Sequence, residues 1–427
     1  MQINGFSKLS KKEKIDWLLS KYLKEDNTAR QILEQYWHND ESLQKLHDDF
    51  VENPVSNFYL PYAIAPNFLI DGKLYAVPMV TEESSVVAAA SKAAKFWSDK
   101  GGFKTEVPGM VKTGHIHLIY KGSTSGLIDF FRKHRQDILK VVAPLEENMK
   151  KRGGGVKDIN LIDKTSKLAD YYQIEFKFET ANAMGANFIN TILEEAADYI
   201  RQKASEELSG KLEIVMSILS NYNPECVVKS EVRSPVNRLA TQEMSGEDYA
   251  RKFVTAVRIA EVETYRAVTH NKGIMNGVDA VVLATGNDFR AVEAGAHAYA
   301  ARSGQYKSLS TARIENDELV FSLEIPLTLG TVGGLTRLHP LVKFSLDLLQ
   351  NPSAEDLMRI VASVGLAQNF AAINSLITGG IQKGHMKMHL NNLLNLLQAT
   401  EEEKAKAVAY FADKKVNFNE LKKILNK

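Results

Sequence analysis

Only one cysteine, Cys226, occurs in 427 residues. No intrachain disulfide can form, so the fold has to rest on a packed core, which fits a reducing compartment. Neither sign of charge is in excess: 53 Lys and Arg stand against 52 Asp and Glu. That balance gives no electrostatic basis for binding nucleic acid or an anionic membrane. Long apolar runs are missing too, and none approaches the ~18 uninterrupted residues that a bilayer span needs. The opening MQINGFSKLSKKEK lacks the apolar stretch of a secretory signal. These absences predict a cytoplasmic protein. No internal repeat, low-complexity tract or GxGxxG phosphate loop is present, which argues against a solenoid, a disordered scaffold and a Rossmann dinucleotide domain. What remains is 44% hydrophobic and 25% charged, a globular composition with length for two or three domains.

Periodicity predicts helices over residues 7–50, with Leu18, Leu19, Tyr22 and Leu23 on one face and Ile32, Leu33, Tyr36 and Trp37 on another. FLI-DG-KLYAVPMV, from Phe68 to Val80, predicts a hairpin turning at Asp71-Gly72. Ser84 to Trp97 predicts a helix apolar all round, ended by Gly101-Gly102. Between residues 109 and 215 the text alternates strand, helix, strand, helix, as a small inserted α/β sandwich would. Gly246 to Thr269 predicts one long helix, and the apolar run Val278 to Leu283 a buried strand. Ala291–Ala301 and residues 352–376 predict further helices. From Gly379 a glycine-rich opening leads into a Lys-rich tail of two amphipathic helices.

Four places set reactive residues at element ends beside small residues. In Thr81-Glu82-Glu83-Ser84-Ser85, a carboxylate beside a buried helix acquires a raised pKa and can donate a proton near neutrality. In His270-Asn271-Lys272-Gly273, a partly desolvated ammonium suits a developing oxyanion. Thr285-Gly286-Asn287-Asp288 puts a carboxylate at the end of the apolar run. Gly384-His385-Met386 puts a histidine between glycines, as a proton shuttle on a lid would have it. Each also fits a plain role: helix capping, a loop lysine, an Asx turn, a loop histidine. Asn182-Ala-Met-Gly185-Ala-Asn187 follows a strand and opens a helix, so its N–H groups can cradle an anion. His115 and His117 alternate along a strand, but no ligand partner lies near in sequence, so no metal site is predicted.

Taken in order, these places resemble the 3-hydroxy-3-methylglutaryl-coenzyme A (HMG-CoA) reductase family, in its soluble bacterial (class II) branch. The matching strings are EESSVVAAAS at Glu82, GGG at Gly153, AMGAN at Ala183, ILSN at Ile218, THNKGIMNG at Thr269, ATGNDFRAVEAGAHAYA at Ala284, GLAQNFAA at Gly365 and GIQKGHM at Gly380. They run over most of the chain, from about Glu52 to about His385.

The resemblance implies an α+β multidomain fold. A large helical and sheet domain (1–108 and 216–378) binds HMG-CoA. A small ferredoxin-like sandwich (109–215) binds the nicotinamide, and a C-terminal flap (379–427) closes as a helical lid. It implies reduction of HMG-CoA to mevalonate and coenzyme A, or the reverse, with two nicotinamides. The implied catalytic residues are Glu83, Lys272, Asp288 and His385. Arg266, Ser85, Asn276, Gln368 and Asn369 bind substrate; Met184, Gly185, Ala186 and Asn187 bind cofactor; no metal takes part. Lys150, Lys151 and Arg152 favour NADPH, although Glu146 and Glu147 beside them offer what NADH would use. A homodimer or trimer of dimers with shared sites is implied, with neither nucleic acid nor membrane as partner. The chain departs from the family at Asn182 (an aspartate in the family), Ser84 (a proline) and Pro54. A CoA-binding homologue without redox activity, and a non-redox acyl-CoA lyase or transferase, are the competing readings.

Overall fold

A computed structural model describes residues 2–23, 27–378, 390, 393–411, 414 and 416–425, with Arg337 described in its backbone only. The chain divides into two compact units, residues 1–61 and 62–427. The first holds helices α1 (Lys11–Tyr22), α2 (Asn27–Gln35) and α3 (Glu41–Asp48). A Ser10/Glu13 capping box starts α1, and the Asp40 carboxylate starts α3 by accepting from Ser42 and Leu43. Ile15 and Leu19 are buried, whereas Tyr22, Leu23, Ile32 and Tyr36, expected on covered faces, remain largely exposed.

The second unit opens with the expected hairpin, β1 (Tyr62–Ile70) and β2 (Lys73–Val80). Asp71 and Gly72 turn it with φ of 47° and 84°, the left-handed pair that a two-residue hairpin loop requires. Helix α4 (Val86–Ser98) follows. It is not buried on every side: Val86, Ala90, Ala93, Ala94 and Trp97 face the core, while Ala88 and Lys92 face outward. Alanine spread round a helix reads as apolar surface at every angle, and only the large side chains mark the inner face.

After β3 (Lys104–Met110) comes an antiparallel sandwich: β4 (Lys112–Lys121), α5 (Thr124–Lys150), β5 (Gly155–Asp163), β6 (Tyr171–Glu179), α6 (Ala186–Glu207) and β7 (Lys211–Leu219). Its sheet runs β5-β6-β4-β7. Alternation is strict: Ile116, Leu118 and Tyr120 of β4 and Tyr172, Ile174, Phe176 and Phe178 of β6 point to a core shared with Ile189, Ile192, Leu193 and Ala196 of α6.

The rest builds a larger core. Strand β8 (Cys226–Pro235) is followed by helices α7 (Gly246–Val262), α8 (Thr264–Ala284) and α9 (Phe289–Ala300). Next come β9 (Ser310–Glu315), β10 (Glu318–Pro326), α10 (Leu335–Leu338), α11 (Pro340–Leu348) and α12 (Ala354–Ile377). The second sheet runs β3-β8-β10-β9. Helix α12 is buried almost all round and is packed by α8, α4, β8 and α7.

Two expectations fail here. The long helix does not run through to Thr269, because Glu263 is extended (φ −114°, ψ 115°) and its carboxylate caps α8 by accepting from Tyr265 and Arg266 N–H. Nor is Val278–Leu283 a strand; it is the last third of α8. Periodicity cannot separate a short buried strand from a buried helix turn, and Gly273 and Gly277 read as turns although both sit inside the helix. At Gly277 a Cβ would come within 2.8 Å of the Val364 carbonyl, so the close passage of α8 over α12 demands glycine.

In the tail, α13 (Glu401–Tyr410) and α14 (Phe418–Leu425) form a small core with Leu390 and Leu394, edged by Leu393 and Leu397. The apolar side of the tail is thus covered by the tail's own helices. Gly379, Gly380, Gly384 and His385 lie outside the described residues.

Candidate active site

The loop from β2 into α4 brings Glu83 to the surface of α8. Ser85 ends this loop in the left-handed region (φ 77°) without giving α4 a side-chain cap. On α8, Lys272, Asn276, Asp279 and Leu283 fall at i, i+4, i+7 and i+11 and therefore share one face. Glu83 Oε2 accepts from Lys272 Nζ at 2.7 Å, with the two side chains 41% and 61% exposed. Asn276, Asp279 and Glu82 line the same cleft of about 210 Å³, and Glu293 of α9 closes it.

Asp279 and Glu293 were not foreseen. Burial first, then the neighbouring Glu293 and Glu82 carboxylates, push the Asp279 carboxyl up to about 8. Its Oδ1 is buried without a partner. Reading residues 264–284 as one helix would have found Asp279, seven positions on from Lys272.

Asp288 sits elsewhere. It caps α9 by accepting from Arg290 and Ala291 N–H, and pairs with the Arg290 guanidinium at 3.0 Å. Among the described residues no hydrogen bond or ion pair joins it to Lys272 or Glu83. It lines instead a second cleft, of about 360 Å³, with Met184, Gly185, Ala186 and Asn187. The first turns of α9 separate the two clefts, with Asp288 facing one and Glu293 the other.

The second cleft has the donor set for a phosphate. Gly185 precedes α6 at φ 96° and gives it no side-chain cap, so the first N–H groups of a 22-residue helix open toward the cleft. A Cβ at Gly185 would meet Thr180 at 2.5 Å, so glycine is required both by conformation and by space. Asn182 anchors the loop: its Oδ1 accepts from Ala354 N–H at 2.9 Å and its carbonyl from Thr331 N–H. These residues fit a dinucleotide phosphate. Glu146, a candidate for the NADH ribose, is buried and accepts from Val156 N–H while pairing with Lys150 at 3.5 Å.

The remaining substrate candidates do not gather in the Lys272 cleft. Arg266 is half-buried on another face of α8, beside His270, and burial holds its pKa down. Asn369 belongs to a buried chain in which Ser310 Oγ donates to Asn369 Oδ1 at 2.8 Å and meets His270 Nε2 at 2.6 Å. His270 Nδ1 is buried without a hydrogen-bond partner. Burial, then Arg266, drives the His270 pKa down to about 3. Gln368 is buried with its Oε1 unpartnered, and its Cβ lies near Gly277. On the small sheet, His117 Nδ1 meets Tyr171 Oη at 2.6 Å and His115 lies 3.7 Å from Glu175.

The family model for hydroxymethylglutaryl-coenzyme A reductase matches residues 13–390. The 3-hydroxy-3-methylglutaryl-coenzyme A reductase of Archaeoglobus fulgidus is 36% identical over 428 residues, covering 100% of this chain and 94% of that protein. The solved reductase of Streptococcus pneumoniae superposes with a TM-score of 0.73 at 37% identity, covering 100% of this chain and 99% of that one. A class II structure from the same organism, bound to NADPH in open conformations, gives 0.72 at 37% identity, covering 94% and 99%. A match that runs from the first helices past α12, at this identity and with this backbone agreement, places the chain in the hydroxymethylglutaryl-coenzyme A reductase family.

Proposed function

We propose that this chain reduces HMG-CoA to mevalonate and coenzyme A with two NADPH and two protons, a step of the mevalonate route to isoprenoids. The observation that carries the reading is the Lys272–Glu83 pair at 2.7 Å, formed by residues 189 positions apart in a cleft beside the candidate phosphate cradle. Each bound reduced nicotinamide supplies one hydride. Lys272 holds the thioester oxygen and stabilises the charge that grows there as the carbon becomes tetrahedral. Glu83 orients Lys272 and delivers the proton to that oxygen. Asp288 acts on the pair as a charge at the α9 N-terminus rather than by direct contact. His385 protonates the departing thiolate.

Arg266 takes the free carboxylate of the substrate; its guanidinium has no carboxylate partner among the described residues, which supports that role. Ser85 and Asn276 supply polar contacts from the α4 loop and the α8 face. Gln368 and Asn369 act from behind, seating α8 on α12. Residues 1–108 and 216–378 are assigned to substrate binding. Residues 109–215 are a ferredoxin-like cofactor domain, and 379–427 a lid. The working protein is a homodimer or trimer of dimers in the cytoplasm. Lys151 and Arg152, exposed next to Gly153, support NADPH over NADH.

The test follows nicotinamide absorbance with HMG-CoA and each cofactor. HMG-CoA consumption without nicotinamide oxidation would establish a lyase or transferase instead. His385→Gln should impair thioester reduction and largely spare reduction of added mevaldehyde, which has no thiolate to protonate. Co-folding a variant disabled in the small domain with one disabled in the large should restore part of the activity if sites are shared.

A further inference from the structure

Lys112, the first residue of β4, carries an amine that the scheme above does not use and water does not reach, being 1% exposed; burial lowers its pKa, so its charged form is disfavoured in the free chain. Its Nζ donates to the Ala183 carbonyl at 2.8 Å and to Thr180 Oγ1. Both acceptors are neutral and both belong to the turn that leads into α6. The titratable groups facing it are Cys226 and Glu179. Burial pushes the Cys226 thiol up to about 11, so it stays neutral. Glu179 spends Oε1 on the N–H groups of Thr180 and Ala181. Among the described residues no carboxylate lies within ion-pair distance of the ammonium.

A buried charge without a counter-ion costs stability. The turn does not need it, since Thr180 Oγ1 itself donates to the Ala183 carbonyl at 2.6 Å. With Met184 and Ala186 the ammonium lines a void of about 10 Å³ directly beneath the residues of the phosphate cradle. Gly185, which opens the cradle, packs on the same Thr180 that Lys112 holds. The charge is therefore costly in the free chain and well placed for an anion on the other side of a single layer of backbone.

We propose that Lys112 is a positioning residue whose buried amine, held against the 180–187 loop, provides positive potential that the diphosphate of the nicotinamide dinucleotide completes on binding. This rests on the reductase reading, which assigns the cradle to that cofactor. The diphosphate is common to NADPH and NADH, so both should feel the charge equally.

The experiment measures NADPH and NADH dissociation constants by calorimetry, together with thermal melts, for wild type, K112M and K112Q. A charge acting over about 10 Å at an effective dielectric of about 20 predicts roughly tenfold weaker binding in both variants and for both cofactors. K112M should melt at or above the wild-type temperature, because the buried charge is gone and the Ala183 carbonyl keeps its Thr180 donor. The KM for NADPH should rise by the same factor while that for HMG-CoA does not follow. Should K112M fail to fold, K112Q, which keeps a neutral donor, carries the test. Three results would overturn the proposal: K112Q binding as tightly as wild type, both variants within about twofold of wild type, or a loss confined to NADPH. A wild-type protein that binds NADPH but oxidises none with HMG-CoA would overturn the reductase reading alone.

Discussion

Replacing Lys272 by alanine separates what the Lys272–Glu83 pair does for the fold from what it does for the reaction. At 61% and 41% side-chain exposure the pair is largely solvated, and ion pairs of that kind contribute about 0–1 kcal/mol. Lys272→Ala should therefore lower the Tm by no more than about 2–4 °C. Removing a donor aimed at a developing oxyanion costs roughly 10²–10³ in kcat, or about 2.7–4 kcal/mol. The rate loss should thus exceed the stability loss severalfold in energy, and affinity for coenzyme A should be nearly unchanged, since the lysine acts on charge that exists mainly in the transition state. The assay pairs steady-state nicotinamide oxidation with calorimetric melts on one preparation. A variant that keeps more than about a tenth of wild-type kcat refutes the role of Lys272 on that scale. So does a rate loss matched by an equal loss of stability, which would make the pair a structural strut.

Asp279, with its carboxyl pushed up to about 8, resists ionisation in the folded chain. A raised acid pKa means that the native state holds the proton longer, so this group's contribution is intact below about pH 4 and drains away as pH rises toward 8. Asp279→Asn should gain Tm relative to wild type between about pH 5 and pH 8; a difference that stays constant with pH would show that the shift is not there. Gly185→Ala, strained at φ 96° and pressed against Thr180, should raise the KM for NADPH several times more than that for HMG-CoA, and equal effects would move the cradle elsewhere. Gly277→Val, whose Cβ would approach the Val364 carbonyl at 2.8 Å, should destabilise by about 1–3 kcal/mol or more; an unchanged melting temperature would mean that α8 can lift from α12 freely.

Much of the architecture is legible where one residue type has one physical reading. Asp71-Gly72 announces its hairpin because few other residues take two consecutive left-handed conformations, and the alternation in β4 and β6 announces a half-covered sheet. The site is legible in part: Glu83, Lys272 and Asn276 come together, whereas Asp288, expected to act with Lys272 and Glu83, lines the cleft of the 184–187 loop. The path of the chain between them is not. Gly277 looks like punctuation until the Val364 carbonyl appears beside it, and with α8 misread as turns and a strand, the helical spacing that adds Asp279 to the site is lost. The burial of Gln368 and Asn369 is likewise invisible in one dimension, because their partners, His270, Ser310 and Gly277, are 59 to 99 positions away or on another helix face. The family resemblance names residues; it does not say which of them meet within one chain.

Helix α12 carries a hazard while the protein is being made. Over an 18-residue window its mean hydropathy reaches 1.5, enough by length and composition to cross a membrane, although 67% of that window is buried in the finished fold. Its main packing partners, α8, α4, β8, α7, β3, β10 and β1, all lie N-terminal to Ala354. During synthesis the cradle is therefore complete before its occupant leaves the ribosome, and α12 can dock as it emerges instead of waiting exposed for downstream chain. A circular permutant beginning near Asn351 would reverse that order and present the most greasy helix first, to chaperones and to the membrane-insertion machinery alike. Element order along this chain thus acts as a timetable as well as a topology.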